Sequence, residues 1–374
     1  MQKRLTMLLV ACLLAGNLLV AQPLPSDSVL RRMAAQMLMV GFRGDSVTDH
    51  SDAARYVRDL GVGAVILFDI DLTGNATIGS RNITSRQRLQ RMTDQLQRWA
   101  RGRLLIALDQ EGGRVQRLKP QYGFTALPSA ERIGLMARAD STRHYARLMA
   151  SELAQSGVNI NLAPDVDLLY PDCPALGKIE RCYAAAPSVV AWHAAMVADE
   201  HHRQGVLCTL KHFPGHGSAT GDSHWGLVDV TDTWQPTELR PFQLLIEQGK
   251  ADLVMTAHIF NRQLDPDYPA TLSQKMLTGV LRRQLHFDGV ILSDDMYMQG
   301  IIDNYQIEPA LVLAINAGCD MLCVGNNIST GFEADRPFRL VDMIVRAVKD
   351  GRIALSRIQE ANQRINKLKN KLKQ

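Results

Sequence analysis

The chain has 374 residues, 46% of them hydrophobic and 21% charged, with a formal net charge of +4. That length holds one large domain or two ordinary ones, and the composition is that of a soluble globular protein. Lys3 and Arg4 carry two of the excess positive charges, so the remainder is close to neutral and does not point to a nucleic-acid partner.

In chain order, Met1-Gln2-Lys3-Arg4 leads into an almost wholly apolar run from Leu5 to Ala21. A basic start, a short apolar core and a small residue at its end form the layout of a secretory signal, with cleavage expected after Ala21. The run is marginal for a bilayer span, and Gly16-Asn17 interrupts it. Leu9-Val10-Ala11-Cys12 offers a second reading, a lipoprotein box with Cys12 acylated, but the leader would then be very short. Either way the expected destination is the periplasm or beyond. Residues 22–374 contain no linker, repeat or shift in composition and read as a single domain.

Short apolar runs then alternate with amphipathic stretches. The runs are Gln36–Phe42, Val62–Phe68, Leu104–Leu108, Val158–Ala163, Val206–Leu210, Leu253–Ala257, Val290–Leu292 and Met321–Val324. Runs of this length, rich in Val, Ile and Leu, are buried strands. Between them, Gln87–Arg101 spaces Leu89, Met92, Leu96 and Trp99 as a helix does, and Arg143–Gln155 and Ser188–Arg203 read similarly. Eight buried strands alternating with helices predict an α/β fold with a parallel sheet, and eight is the number that closes a (β/α)8 TIM-type barrel. An open doubly wound sheet is less consistent, because GxGxxG is missing after the first strand. The stretch Leu355–Leu372 predicts an amphipathic closing helix whose final lysines suit the helix dipole and form a solvated face.

Past the leader five cysteines remain. Cys208, Cys319 and Cys323 sit in apolar runs and read as inert core residues, whereas Cys173 and Cys182 share one loop and are candidates for a disulfide.

Chemistry in parallel α/β folds sits at the C-terminal ends of strands. After the third run come Asp109-Gln110-Glu111-Gly112-Gly113-Arg114-Val115-Gln116-Arg117. An acid here can accept from two sugar hydroxyls, and the glycines allow close backbone approach to a ligand; equally, an Asp–Arg pair can fasten the loop. After the fourth come Asp165-Val166-Asp167, with Asp167 read as structural, then a long loop to Arg181-Cys182-Tyr183. After the fifth comes Lys211-His212-Phe213-Pro214-Gly215-His216-Gly217, then Asp222-Ser223-His224, with Gly215 and Gly217 expected to make the loop flexible. Asp222 and His224 are two apart, so in an extended segment they point the same way. Asp222 can orient the imidazole, leaving His224 usable as general acid and base near neutral pH. After the seventh come Ser293-Asp294-Asp295. Only one of these aspartates can face a pocket squarely, and it could serve as a nucleophile. Periodicity does not say which.

A metal is the competing reading, with His212, His216, His224 and His258 joined by Asp294. Barrel metallohydrolases usually open with His-x-His after the first strand, whereas this strand ends Val40-Gly41-Phe42-Arg43. No metal is therefore expected.

Taken in order, Asp109–Val115, Ile179–Tyr183, Lys211–Gly217, Asp222-Ser223-His224 and Phe287-Asp288-Gly289 leading to Ser293-Asp294-Asp295 resemble family 3 glycoside hydrolases, in particular their single-domain β-N-acetylglucosaminidases. The resemblance implies a retaining mechanism with Asp294 as nucleophile and His224 as acid/base oriented by Asp222. It also implies that Asp109, Arg117, Arg181, Lys211 and His212 hold the terminal sugar and its acetamido group. No cofactor and no stable protein partner is implied; the partner is a carbohydrate containing GlcNAc. This chain departs from the family pattern at Ser218-Ala219, where Asp-Thr is common, at Val228 in place of proline, and at Cys182-Tyr183, where Ser-Phe is common. Two alternatives stay open. One is a phosphorylase, since a histidine acid does not repel phosphate. The other is a sugar-binding barrel without catalysis. An exported hydrolase would meet muropeptides, or chitin and glycan fragments.

Overall fold

The computed structural model describes residues 24–73, 76–101, 104–222, 225–328 and 331–372. The expected leader with Cys12 lies outside these residues, and so does His224.

All eight apolar runs are strands: β1 Leu38–Gly41, β2 Ala64–Ile66, β3 Leu105–Leu108, β4 Ile160–Asn161, β5 Leu207–Phe213, β6 Leu253–Thr256, β7 Val290–Asp295 and β8 Met321–Val324. Each pairs in parallel with its neighbours in sequence, and β8 pairs with β1, closing the barrel. Every residue of β1, β3, β6 and β8 is buried. That is why these strands are continuous apolar runs without alternation: barrel packing covers one face and helices cover the other.

The helices follow the predicted periodicity. Arg86–Trp99 buries Leu89, Met92 and Leu96, and the Ser85 side chain caps it by accepting from Arg88 N. Ala139–Gln155 and Pro187–Arg203 pack against each other, and buried Thr142 Oγ1 lies 2.9 Å from His193 Nδ1 across the contact. The closing helix Leu355–Lys369 buries Ile358, Ala361, Ile365 and Leu368. Its lysines are not all solvated as expected. Lys369 is buried, with Nζ donating to Gln36 Oε1 at 2.7 Å, and Lys371 reaches Asp252 Oδ1 at 2.8 Å. Asp252 is buried at the base of β6, where a carboxylate needs a counter-charge. Asp320, buried at the base of β8, is met in the same way by Arg282, Arg357 and Arg364. This end of the barrel is fastened by ion pairs, which leaves the other end for chemistry. Among the described residues no helix is long and apolar enough to cross a membrane.

Candidate active site

Strand β5 runs three residues beyond its expected end, through Lys211-His212-Phe213, and all of it is buried. Its register against β6 shifts between Leu210 and Phe213. In a regular strand adjacent side chains point to opposite faces, and such an irregularity re-aims them. Lys211 and His212 consequently both reach partners at the barrel mouth. Lys211 Nζ lies 3.0 Å from Asp109 Oδ1 and 2.6 Å from Glu111 Oε1. His212 Nδ1 lies 2.7 Å from Asp167 Oδ2, and Arg181 is 3.3 Å from His212 Nε2. A guanidinium only donates. His212 Nε2 therefore accepts, Nδ1 carries the proton, and the ring is neutral. Burial, helped by Arg181 and Lys211, pushes its pKa down to about 4, in keeping with that tautomer.

Four carboxylates face these cations. Glu111 receives both Nε and one terminal nitrogen of Arg181 at 2.8 Å. Asp109 accepts from Arg117 at 3.2 Å as well as from Lys211. The fastening pair expected of an Asp and an Arg is thus present. Burial alone would raise the pKa of Asp109, but Lys211 and Arg117 outweigh it and hold the carboxyl well below its usual range. Lys211 is held above its ordinary value because Glu111 and Asp109 overcome the cost of its burial. Asp167 accepts His212 N at 3.2 Å and His216 N at 2.7 Å in addition to the imidazole, so it shapes the turn after β5 as a structural residue. Asp165 stands 3.6 Å from Arg181 Nε. Asp165, Asp167 and His212 bring possible ligand atoms within 4.8 Å of one another, the spacing of a cation site. Arg181 brings a positive charge beside that group and His212 Nδ1 donates to Asp167, while Asp165 Oδ2 is buried without a hydrogen-bond partner. Asp69, which follows β2, is a site-wall residue not singled out from sequence. It is buried, pairs with Lys119, and lies 3.9 Å from Arg117. It stands at a strand end like the others, so the same rule applied to β2 identifies it.

The glycines are tightly packed within the chain. Gly112 and Gly113 have φ of +99° and +57°, and a Cβ on Gly112 would sit 2.3 Å from Pro128 O. Their close approach is to the chain's own 127–129 segment, closing the hairpin between Gln110–Gly112 and Val115–Gln116. Gly217 is packed too: a Cβ there would meet Leu168 O at 2.2 Å. The segment expected to be a flexible loop is buried and braced by Trp234 Nε1 donating to Pro214 O at 3.2 Å.

On β7 the two aspartates separate. The Asp295 carboxylate accepts Tyr297 N and Gly325 N, each at 3.0 Å, which turns it toward the end of β8. Burial raises its pKa to about 6. The negative charge of Asp294 adds to that rise and is also felt at His212 and His216, where it opposes their loss of basicity. Asp294 therefore lies within electrostatic range of the β5 cluster. His258 Nε2 is 2.9 Å from the Asp295 carbonyl and Nδ1 is 2.8 Å from Thr271 Oγ1, so β6 and β7 are linked at the mouth. Asp222 lies in the loop after β5. That loop returns as Val228–Asp229, which pairs with Ile259–Phe260 beyond β6.

Cys173 and Cys182 are buried free thiols in this structure, correcting the candidate disulfide. Cys173 Sγ is 3.7 Å from His216 O, packed against the turn after β5.

With that geometry in place, residues 29–368 match the family described as the glycosyl hydrolase family 3 N-terminal domain. The chain belongs to glycosyl hydrolase family 3. Among curated relatives, it is 38% identical over 256 residues to a beta-hexosaminidase of Idiomarina loihiensis, covering 66% of this chain and 75% of that one. It is 36% identical over 265 residues to a beta-hexosaminidase of Hydrogenovibrio crunogenus, covering 68% and 72%. Among solved structures, a family 3 β-N-acetylglucosaminidase from Paenibacillus superposes with a TM-score of 0.82 at 32% identity, over 91% of this chain. The present chain spans 62% of the length of that Paenibacillus chain. A β-N-acetylhexosaminidase from Beutenbergia cavernae superposes with a TM-score of 0.79 at 27% identity, over 91% of this chain and 98% of that one. As a family 3 member the protein is a glycoside hydrolase with a TIM-type barrel.

Proposed function

We propose that the protein is an exo-acting, retaining β-N-acetylglucosaminidase. Its substrates would be glycans ending in β-linked GlcNAc, such as peptidoglycan fragments. The observation that carries this reading is the convergence of Asp109, Lys211, Arg181, His212 and Asp294 at the C-terminal end of a closed barrel. The beta-hexosaminidase names of relatives at 38% and 36% identity supply the sugar class. In the reaction Asp294 attacks the anomeric carbon while His224 gives its proton to the departing glycosidic oxygen. Water then attacks the glycosyl–Asp294 ester, losing its proton to His224, and Asp294 leaves as carboxylate. Asp222 orients His224. Asp109 and Lys211, with Arg117, Arg181 and His212, bind the terminal sugar. The ion pairs that hold these side chains fix them before substrate arrives, which lowers the ordering cost of binding.

The leader at residues 1–21 further suggests export to the periplasm, where cell-wall fragments are met; sequencing the mature N-terminus would distinguish cleavage after Ala21 from acylation at Cys12. The activity is tested with 4-nitrophenyl β-GlcNAc and β-glucose, using Asp294→Asn as control. GlcNAc-selective turnover that is lost in the variant while the fold persists is the expected result. A fully active variant would refute the role of Asp294. Sugar release that depends on inorganic phosphate would replace hydrolysis by phosphorolysis.

A further inference from the structure

Trp225 is 75% exposed and Leu227 is 43% exposed, in the loop that leaves the end of β5 and returns beside β6. Single exposed apolar residues are ordinary. An indole this open is less so, because it leaves a large apolar face in water on the very side of the barrel where sugar is handled. A Cβ on Gly221 would touch Val228 Cγ2 at 3.2 Å, and Trp225 N donates to Asp222 O at 3.0 Å.

We propose that Trp225 is a specificity-determining residue whose indole stacks on the first sugar ring of the leaving group. The inference rests on the proposed role of His224. Consecutive Cα atoms are ~3.8 Å apart, and a proton donor must come within about 3 Å of the glycosidic oxygen it protonates. The leaving sugar is bonded to that oxygen, so it falls within side-chain reach of the residue next to the donor. A pyranose ring presents an apolar face of C–H groups, and a large, rigid aromatic side chain matches it at low entropic cost. Trp225 makes no contact with the reacting atoms in this picture; it selects and holds the aglycone.

The test compares kcat/KM of wild type, Trp225→Ala and Trp225→Phe on three substrates. N,N′-diacetylchitobiose needs both a proton donor and an aglycone platform. 2,4-Dinitrophenyl β-GlcNAc presents a ring but needs little protonation. β-GlcNAc fluoride needs neither. Trp225→Ala is expected to lose about tenfold on the first two, the size of one aromatic stacking contact, and to keep fluoride turnover within about twofold, with Trp225→Phe recovering most of the loss. A loss on chitobiose alone would mean that Trp225 only positions the proton donor, which overturns the proposal. Equal losses on all three, or none on any, overturn it too. Wild-type enzyme that releases GlcNAc from none of the three would overturn the proposed activity itself. The indole is exposed, so loss of fold is not a competing outcome.

Discussion

Replacing Glu111 by glutamine tests whether the buried charge cluster is built as described. Glu111 meets Arg181 through two contacts of 2.8 Å and Lys211 through one of 2.6 Å. Burial pushes its pKa up, but Arg181 and Lys211 pull it further down, to about 2 from an ordinary 4.5. A difference of that size corresponds to about 3 kcal/mol of folding free energy near neutral pH. This agrees with the cost of removing one partner from a buried ion pair, about 3–5 kcal/mol. The variant amide has a single acceptor oxygen, and its NH2 group faces the guanidinium, so at least one donor of Arg181 or Lys211 loses its acceptor. Because the folded pKa is depressed, this stabilisation is complete above pH 4.5 and is lost as pH falls through about 2. Urea unfolding at pH 7 should therefore show Glu111→Gln less stable by about 3 kcal/mol, and at pH 3 the gap should be about half that. A gap below about 1 kcal/mol at pH 7, or one that does not narrow in acid, would refute the reasoning.

Two further expectations concern other parts of the barrel. His201 is buried, with Nδ1 2.8 Å from Val197 O and Nε2 3.0 Å from Asn161 Nδ2, and burial pushes its pKa down to about 4. The unfolded chain then binds more protons between pH 4 and 6.5, so stability falls as pH drops through that window. His201→Gln should lose about 2 kcal/mol less than wild type between pH 6.5 and 4.5 in urea unfolding; equal losses would show that His201 is not held neutral. Gly41 ends β1 with its Cβ position 1.9 Å from Gly325 O, a backbone atom that cannot give way cheaply. Gly41→Ala should lower Tm by about 4 °C, the effect of roughly 3 kcal/mol of overpacking in a chain of this size, and an unchanged Tm would reject that close approach.

The barrel was legible in the sequence because burial on both faces erases alternation. Each strand then appears as a bare apolar run, and eight of them were countable. The helices were legible from periodicity, as with Leu89, Met92 and Leu96. The end of β5 was not, because Lys211 and His212 are polar, and polar residues ordinarily mark the end of a buried strand. Here they continue it, since Asp109, Glu111 and Asp167 arrive from β3 and β4 to satisfy them, and no local pattern reports partners so distant in sequence. The same limit hid the use of Lys369, whose Nζ donates to Gln36, and of Gly112 and Gly113, which closely approach Pro128 and Ser129.

The choice between Asp294 and Asp295 shows what geometry adds. Strict alternation allows only one of them to face the mouth and is silent on which. The neighbours of the two side chains differ. β8 offers Gly325 N, the turn offers Tyr297 N, and both are taken by Asp295. A carboxylate held by two backbone donors is poorly placed to attack a substrate. Asp294 accepts a backbone donor, Asp295 N at 2.8 Å, and its charge reaches His212 and His216. The register shift of β7 against β8 between Leu292 and Asp295 makes that division possible, just as the shift in β5 lets Lys211 and His212 share one site. Two strand irregularities, on either side of β6, thus turn a packed core into a mouth able to bind charge, and both lie where an alternating pattern would place half of those side chains facing away.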